Sequence, residues 1–215
     1  MPPVAYRAAL LTAALTLDCA VPQPAYSGGS VQLVAASVAV HPDPISGPRI
    51  VYPADRLPRL ALPNGQSRLV RSLLNVQRRM RYGDYVWNDA SVPPGETWVR
   101  IDLARQTMSV FRGGHEIGTT VILYGTDGKP TPTGIFPILE KAVEHRSTLY
   151  DAEMPYMLRL TGDGVAIHAS NVRRGSATHG CIGVPTAFAA RLFGVVKRGD
   201  LVAIDGAVSS VRRAS

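Results

Sequence analysis

The sequence has few cysteines and no long apolar run. Its 215 residues include only two cysteines, Cys19 and Cys181, so an internal disulfide could only join these two positions. No apolar run approaches the roughly 20 residues that a membrane-spanning helix needs. Apolar residues nevertheless make up 46% of the chain, which is typical of a globular protein with a core. The length fits one domain of ordinary size with additional segments attached.

The sequence also lacks the common signatures of metal and phosphate sites. His115-Glu116 lacks the second His of a zinc-protease helix, and the run over residues 125–129 is followed by Pro130 instead of continuing as a phosphate loop. The five His and two Cys show no metal-ligand spacing. We therefore expect neither a metal nor another cofactor. No aromatic-basic motif supports nucleic-acid binding.

Acidic residues are missing from one segment, and this makes the charge uneven. The net charge is +7, and residues 67–82 contain five Arg and no acid. Residues 98–205 are close to neutral, with twelve Lys or Arg against ten Asp or Glu. The basic excess therefore lies outside that domain. It favours attraction to an anionic wall or membrane surface through residues 67–82, and the alternative is a solvated basic face.

The N-terminus has the order of an export signal. Arg7 precedes an apolar stretch over residues 8–17, which has the length of a signal-peptide core, so residues 1–20 are signal-like. Asp18, just before Cys19, does not suit a cleavage site. The alternative is an apolar N-terminus that is never cleaved.

Composition then divides the rest of the chain. Residues 21–66 hold eight of the seventeen prolines, which predicts a Pro/Gly-rich linker without a core of its own. The segments that follow are a basic amphipathic helix and connector over 67–97, a strand-rich domain over 98–205 and a basic tail over 206–215.

Residues 67–82 predict a helix. Leu69, Val70, Leu73 and Leu74 lie near helical spacing, and most of the arginines fall elsewhere. Ser67 is a suitable N-cap, and a glycine at position 83 a suitable stop. We expect this helix to pack on the domain, with binding to a membrane surface as the alternative.

From Trp98 the apolar period changes to two, which indicates strands. Val99, Ile101 and Leu103 alternate with polar residues, and further short strands follow, joined by glycine-rich turns. Pro185 then suits the start of a short helix. We predict a mostly β fold, a sandwich or barrel-like domain with one or two short helices, preceded by the signal-like segment and the Pro-rich linker.

The segment Thr-His-Gly-Cys-Ile over residues 178–182 carries the most chemistry. Read as a strand, it places His179 and Cys181 on one face. Gly180 leaves the backbone open to a ligand, and His168 lies a short distance upstream. A thiolate nucleophile needs a base or cation beside it and donors for an oxyanion, which these residues could supply. The alternative is that Cys181 is a small buried apolar residue and both His are structural.

These residues, together with two flanking segments, resemble a known family. His168 followed by Thr-His-Gly-Cys-Ile resembles the catalytic signature of the L,D-transpeptidases, the YkuD-like domain. Residues 129–136 resemble the Thr-Pro-x-Gly-x-Phe segment that precedes it there. Residues 199–204 resemble the strand that closes that domain. The resemblance covers residues 98–205, half of the chain, with the segments in the right order.

The resemblance implies cysteine acyl-transfer chemistry. Cys181 would be the nucleophile, and its target would be the bond between diaminopimelate and D-Ala in a peptidoglycan tetrapeptide stem. The thioester would pass to an amine, giving a 3→3 cross-link or attaching a protein to the wall. His168 matches the general base, and His179 an orienting or polarising residue. The backbone at Gly180 is a candidate oxyanion donor.

The resemblance also raises two questions of substrate binding. Tyr156 lies in a segment similar to one that lines the substrate cleft of the family, although it could equally be core. Gly183 stands where the family usually has Arg, two residues after the cysteine. Arg173 and Arg174 could replace that charge and bind substrate, or could form a solvated loop.

Peptidoglycan lies outside the cytoplasm, so the resemblance implies an exported protein of the periplasm or cell envelope. Two alternative functions remain. One is a cysteine L,D-carboxypeptidase or endopeptidase that acts on the same stem peptides. The other is a catalytically weak wall-binding protein.

Overall fold

The computed structural model describes residues 46–125, 128–147 and 151–206. The predicted signal-like segment, residues 21–45 of the predicted linker and the tail from residue 207 lie outside these ranges. No helix within them is long and apolar enough to cross a membrane.

The described ranges form sixteen strands, one α-helix and a single-turn 3-10 helix at Ala54–Arg56. The strands and the helix are, in chain order, β1 (Ser46–Val51), β2 (Arg59–Ala61), β3 (Ser67–Leu69), β4 (Ser72–Val76), β5 (Tyr85–Trp87), β6 (Thr97–Asp102), β7 (Thr107–Arg112), β8 (His115–Val121), β9 (Gly134–Pro137), β10 (Glu140–Ala142), β11 (Arg146–Ser147), β12 (Ala152–Glu153), β13 (Met157–Arg159), β14 (Ala166–Ala169), β15 (Ile182–Val184), α1 (Thr186–Val195) and β16 (Leu201–Asp205).

Two open sheets carry the architecture. The larger has eight strands in the order β1-β4-β8-β7-β6-β16-β9, with β5 paired to β8. The smaller has the order β10-β13-β14-β15, and the β2–β3 and β11–β12 pairs stand apart from both. The mostly β prediction is confirmed, and the sheets form no closed barrel.

Alternating side chains of the larger sheet serve two different cores. On β6, Val99 and Ile101 are fully buried in the main core, to which the smaller sheet and α1 contribute Ile167, Ile182 and Phe188. The neighbouring residue Trp98 points to the other face, where its ring stacks on Phe111 at 4.5 Å between centroids. This is the period-two pattern that the sequence showed from Trp98 onward.

The helix predicted after Pro185 is confirmed as α1. Pro185 is its N-cap, and Phe188, Ala189 and Leu192 are buried in the main core. The ammonium group of Lys141 donates to the carbonyl of Phe193 at 2.7 Å and to that of Val196 at 2.5 Å, at the C-terminal end of the helix. A cation at this end also suits the helix dipole, so Lys141 stabilises the C-terminal end of α1.

The helix predicted over residues 67–82 is wrong. This segment forms β3 and β4, and Val70, Ser72 and Leu74 are buried at alternate positions. Its short apolar runs fit either period, and pairing with β1 and β8 decides in favour of strand. The alternative, a membrane-binding amphipathic helix, is therefore wrong as well, because the segment forms strands. Attraction of these arginines to an anionic surface stays a prediction.

The linker prediction is also wrong for residues 46–66. β1 pairs with β4, with Ile50 opposite Leu73, and Leu62 is buried beside Trp98 and Phe111. Pro48 is tolerated because β1 is an edge strand and its register shifts between positions 47 and 50. The segment does not need a core of its own, since the outer face of the larger sheet supplies one.

We predict that Gly118→Ala destabilises the fold strongly. A Cβ at position 118 would lie 2.3 Å from the ring of Trp87 and 3.2 Å from that of Phe188. Overpacking of this kind typically costs about 1–3 kcal/mol. The measurement is chemical denaturation of the two proteins under identical conditions.

Gly194→Ala is the matched control. Position 194 lies in α1, and a Cβ there would meet no atom within 4 Å. Because alanine favours helix more than glycine does, this variant should be unchanged or up to about 1 kcal/mol more stable. Equal stabilities for the two variants would contradict this account of the core.

Candidate active site

The parallel pairing of β14 and β15 brings the predicted reactive residues together. Ile167 pairs with Ile182 and His168 with Gly183. Ile167 and Ile182 are buried in the main core, so the alternate positions face away from it. His168 occupies such a position, Cys181 directly precedes β15, and both line one cavity of about 820 Å³.

Cys181 carries a protonated thiol in this environment. Its Sγ lies 3.8 Å from the carbonyl oxygen of Gly164, to which the thiol donates, and it accepts from the amide of Ala166. Burial raises the pKa of Cys181, whereas the Ala166 amide and the charge of Lys129 lower it. Burial is the largest of these effects, so the thiol form is favoured before a substrate binds.

His168 is held as a neutral imidazole with a defined tautomer. Its Nδ1 lies 2.9 Å from the carbonyl oxygen of Ala169, which can only accept, so the proton sits on Nδ1. The Nε2 lone pair is then left to take a proton. Burial lowers the pKa of His168; the Ala169 carbonyl raises it, and the charge of His145 lowers it.

Residues 178–181 are not a continuous strand, contrary to the sequence prediction. β15 begins at Ile182, and Gly180 has a φ of +105°, which a strand does not allow. The carbonyl of Gly180 accepts from the hydroxyl of Thr131 at 2.9 Å, and that of Cys181 accepts from Thr178 at 2.5 Å. Because a trans peptide holds its C=O and N–H on opposite sides, the Cys181 N–H points away from buried Thr131.

Thr131 is a site residue that sequence reasoning missed. Its hydroxyl accepts from the amide of Gly125 at 2.9 Å while it donates to Gly180. A Cβ at Gly125 would lie 2.8 Å from the backbone of Gly180, so these two segments of the chain can pack this closely only because residue 125 is glycine. Thr131 lies within the segment that resembled the family, but its contact with Gly180, 49 residues away, has no signal in the sequence.

Of the other predicted site residues, one lines the cavity and three do not. His179 lines the cavity at its exposed rim. Tyr156 packs its ring on Phe193, with centroids 5.8 Å apart, and does not line the cavity. Arg173 and Arg174 are exposed and do not line it either.

Lys129 is the cation that the structure places at the cavity. It lines the same cavity as Cys181, and its charge lowers the pKa of that thiol. In the sequence it stands 52 positions before the cysteine, whereas Arg173 and Arg174 stand within ten. Arg173 and Arg174 are thus closer to Cys181 in sequence, whereas Lys129 lines the cavity.

No group of three or more His, Cys, Asp or Glu side chains suited to a metal lies in the ranges that the structure describes. The cavity lining includes the thiol of Cys181, the imidazole of His168 and the ammonium group of Lys129. Together they can take up a proton, attack a carbonyl carbon and hold a negative charge.

We predict that Lys129→Gln raises the pKa of Cys181, because it removes a positive charge that favours the thiolate. The rate of Cys181 alkylation by iodoacetamide, measured against pH, should shift to higher pH in this variant. The wild-type thiol should already react slowly at neutral pH, since burial holds it protonated.

The control is the double variant Arg173→Gln/Arg174→Gln. It removes two positive charges close in sequence to Cys181 but away from the cavity lining, so the alkylation profile should stay that of the wild type. A larger shift in the double variant than in Lys129→Gln would mean that the arginines supply the charge.

Comparison with known proteins gives one family. Residues 96–204 match the L,D-transpeptidase catalytic domain, the YkuD family. Similar solved structures include an L,D-transpeptidase from Stackebrandtia nassauensis (25% identity over 53% of this chain and 57% of that one, TM-score 0.49). An L,D-transpeptidase from Enterococcus faecium shows 26% identity over 52% of this chain and 50% of that one, with a TM-score of 0.46. L,D-transpeptidase 1 from Mycobacterium tuberculosis shows 27% identity over 52% of this chain and 62% of that one, with a TM-score of 0.45. The chain thus spans less than two thirds of each of these proteins. No curated protein matches it.

Proposed function

The chain belongs to the L,D-transpeptidase catalytic-domain family, and from this premise we propose that it is a cysteine-dependent acyltransferase acting on peptidoglycan stem peptides. The observation that carries the proposal is the placement of Cys181 and His168 at one cavity, with His168 Nδ1 bonded to Ala169. This leaves Nε2 as the base. A volume of about 820 Å³ also suits a peptide of a few residues.

In the first step Cys181 attacks the carbonyl that joins the L-centre of diaminopimelate to D-Ala. His168 Nε2 takes the thiol proton as the S–C bond forms, because the thiol does not ionise beforehand. The carbonyl oxygen becomes an oxyanion, for which the Cys181 N–H is the proposed donor. The C–N bond then breaks, the proton passes from His168 to the amine of D-Ala, and a thioester remains on Cys181.

In the second step an acceptor attacks the thioester. An amine on a neighbouring stem gives a 3→3 cross-link, and a protein amine would attach that protein to the wall. His168 takes the proton of the attacking amine and returns it to the leaving sulfur. Water as acceptor would make the protein an L,D-carboxypeptidase, which is the second candidate function.

Lys129 is proposed to bind the substrate carboxylate at this site. Its ammonium group lies at the cavity that holds Cys181, and the carboxylate at the D-Ala end of the stem needs a cation. His179 is proposed to orient or polarise the reacting groups from the rim. The site of action that goes with this substrate is the periplasm or cell envelope, where stem peptides occur.

The test is product analysis with a purified disaccharide-tetrapeptide. We expect D-Ala release and a cross-linked dimer, detected by mass spectrometry, and neither product with Cys181→Ala. The control is Ser176→Ala, an exposed position in the loop before the cysteine, which should behave as the wild type. Tripeptide without dimer would favour the carboxypeptidase, and binding without any product would leave only the wall-binding protein.

The pH dependence offers a separate test. Because burial lowers the pKa of His168, its neutral form persists to lower pH than in an exposed histidine. The acid limb of kcat/KM should therefore lie below about 6.5, the ordinary histidine value. An acid limb above that value would contradict a buried neutral base.

A further inference from the structure

Ser170 is a second oxygen beside the proposed base. It lies two residues after His168, and its Oγ is 3.4 Å from His168 Nδ1. The stronger partner of Nδ1 is the Ala169 carbonyl at 2.9 Å. Since that carbonyl already requires a proton on Nδ1, the Ser170 oxygen acts as a second, weaker acceptor of the same N–H. Two acceptors of one N–H restrict rotation of the imidazole ring more than one does.

The space that Ser170 occupies exists because residue 183 is glycine. Gly183 pairs directly with His168 across the parallel strands and is buried. A Cβ at position 183 would lie 2.8 Å from Ser170 Oγ and 2.9 Å from Ser170 Cβ, closer than such atoms approach. On its other side it would lie 3.3 Å from Leu123 Cβ. Leu123 cannot move away easily, because its backbone exchanges both hydrogen bonds with Gly183, at 2.8 and 3.0 Å.

We propose that Ser170 is a positioning residue for His168 and that Gly183 is required because its missing side chain makes room for the Ser170 hydroxyl. The inference rests on the proposed function in one respect, the role of His168 as the base. The inference explains why residue 183 is glycine, whereas the sequence alone showed only that the arginine usual in the family is missing there. An arginine introduced at 183 would displace Ser170 before it could add a useful charge.

The test uses two substitutions and their combination. Ser170→Gly removes both Oγ and Cβ, so it removes the contact with His168 and also the obstacle to a larger residue 183. Gly183→Ala adds the Cβ that collides with Ser170. The double variant carries both changes. Ser176→Gly, at an exposed position in the same loop, controls for the added backbone freedom of a serine-to-glycine change.

Three quantities are measured on each protein: the nitrogen-15 NMR titration of the His168 ring, the thermal midpoint of unfolding, and kcat/KM on a disaccharide-tetrapeptide. Ser170→Gly should lower the pKa of His168, because the lost acceptor stabilises the imidazolium more than the neutral ring. It should reduce kcat/KM roughly three- to tenfold, the scale of one modest hydrogen bond. Gly183→Ala should change the titration in the same direction and also lower the midpoint of unfolding.

The double variant separates positioning from packing. If Ser170 positions His168, the double variant regains most of the thermal midpoint that Gly183→Ala lost, because the collision with Ser170 is gone and only the 3.3 Å contact with Leu123 remains. Its His168 titration and kcat/KM should stay at the Ser170→Gly values. Recovery of the wild-type titration in the double variant would show that Ser170 only fills space, and would overturn the proposal. An unchanged titration in Ser170→Gly would overturn it as well.

The NMR titration keeps this inference distinct from the proposed function. A wild-type protein that releases no D-Ala from the stem peptide, yet shows the expected titration pattern across the four variants, contradicts the proposed substrate and supports the Ser170 contact. A protein that cross-links stems normally, but whose His168 titration is the same with and without Ser170, supports the proposed substrate and contradicts the Ser170 contact.

Discussion

The register between β14 and β15 determines where both proposed reactive side chains lie. With Ile167 opposite Ile182, two isoleucines are buried in the main core, and the neighbouring positions must face the cavity. A slip of β14 by one residue would turn Ile167 out of the core and His168 into it. The register is therefore maintained by the free energy of apolar burial, and it sets the direction in which the His168 side chain points.

The close approach of neighbouring segments around the cavity is the second constraint, and glycines make this approach possible. Gly125 touches Gly180, and Gly183 lies against Ser170, with no room for a Cβ at position 125 or 183. Thr131 bridges Gly125 and Gly180 through its hydroxyl and so fixes the peptide that precedes Cys181. Since the cysteine amide belongs to that peptide, the same packing that closes the fold also orients a possible oxyanion donor.

The strands that were predictable are those whose own sequence alternates. β6 and β7 carry a clear period of two because one face enters the main core and the other faces a separate, smaller one. Residues 67–82 were misread as helix because their apolar residues come in adjacent pairs, which fit either period. β3 pairs with the nearby β2, but β4 depends on β1 and β8, which lie 20 residues or more away in sequence, so no local pattern could reveal that strand.

The site divides in a similar way. Cys181 and His168 were predicted from their resemblance to the family signature, and the fold places both at one cavity. The sequence could not identify Lys129, since lysine is common and its position depends on a loop that folds back over Gly180. Partial burial of the pair is likewise a property of the fold. It lowers the pKa of His168 and raises that of Cys181, so it disfavours charge on both groups. In the proposed mechanism the thiol therefore loses its proton only as the S–C bond forms to a bound carbonyl, and no thiolate persists in the absence of substrate.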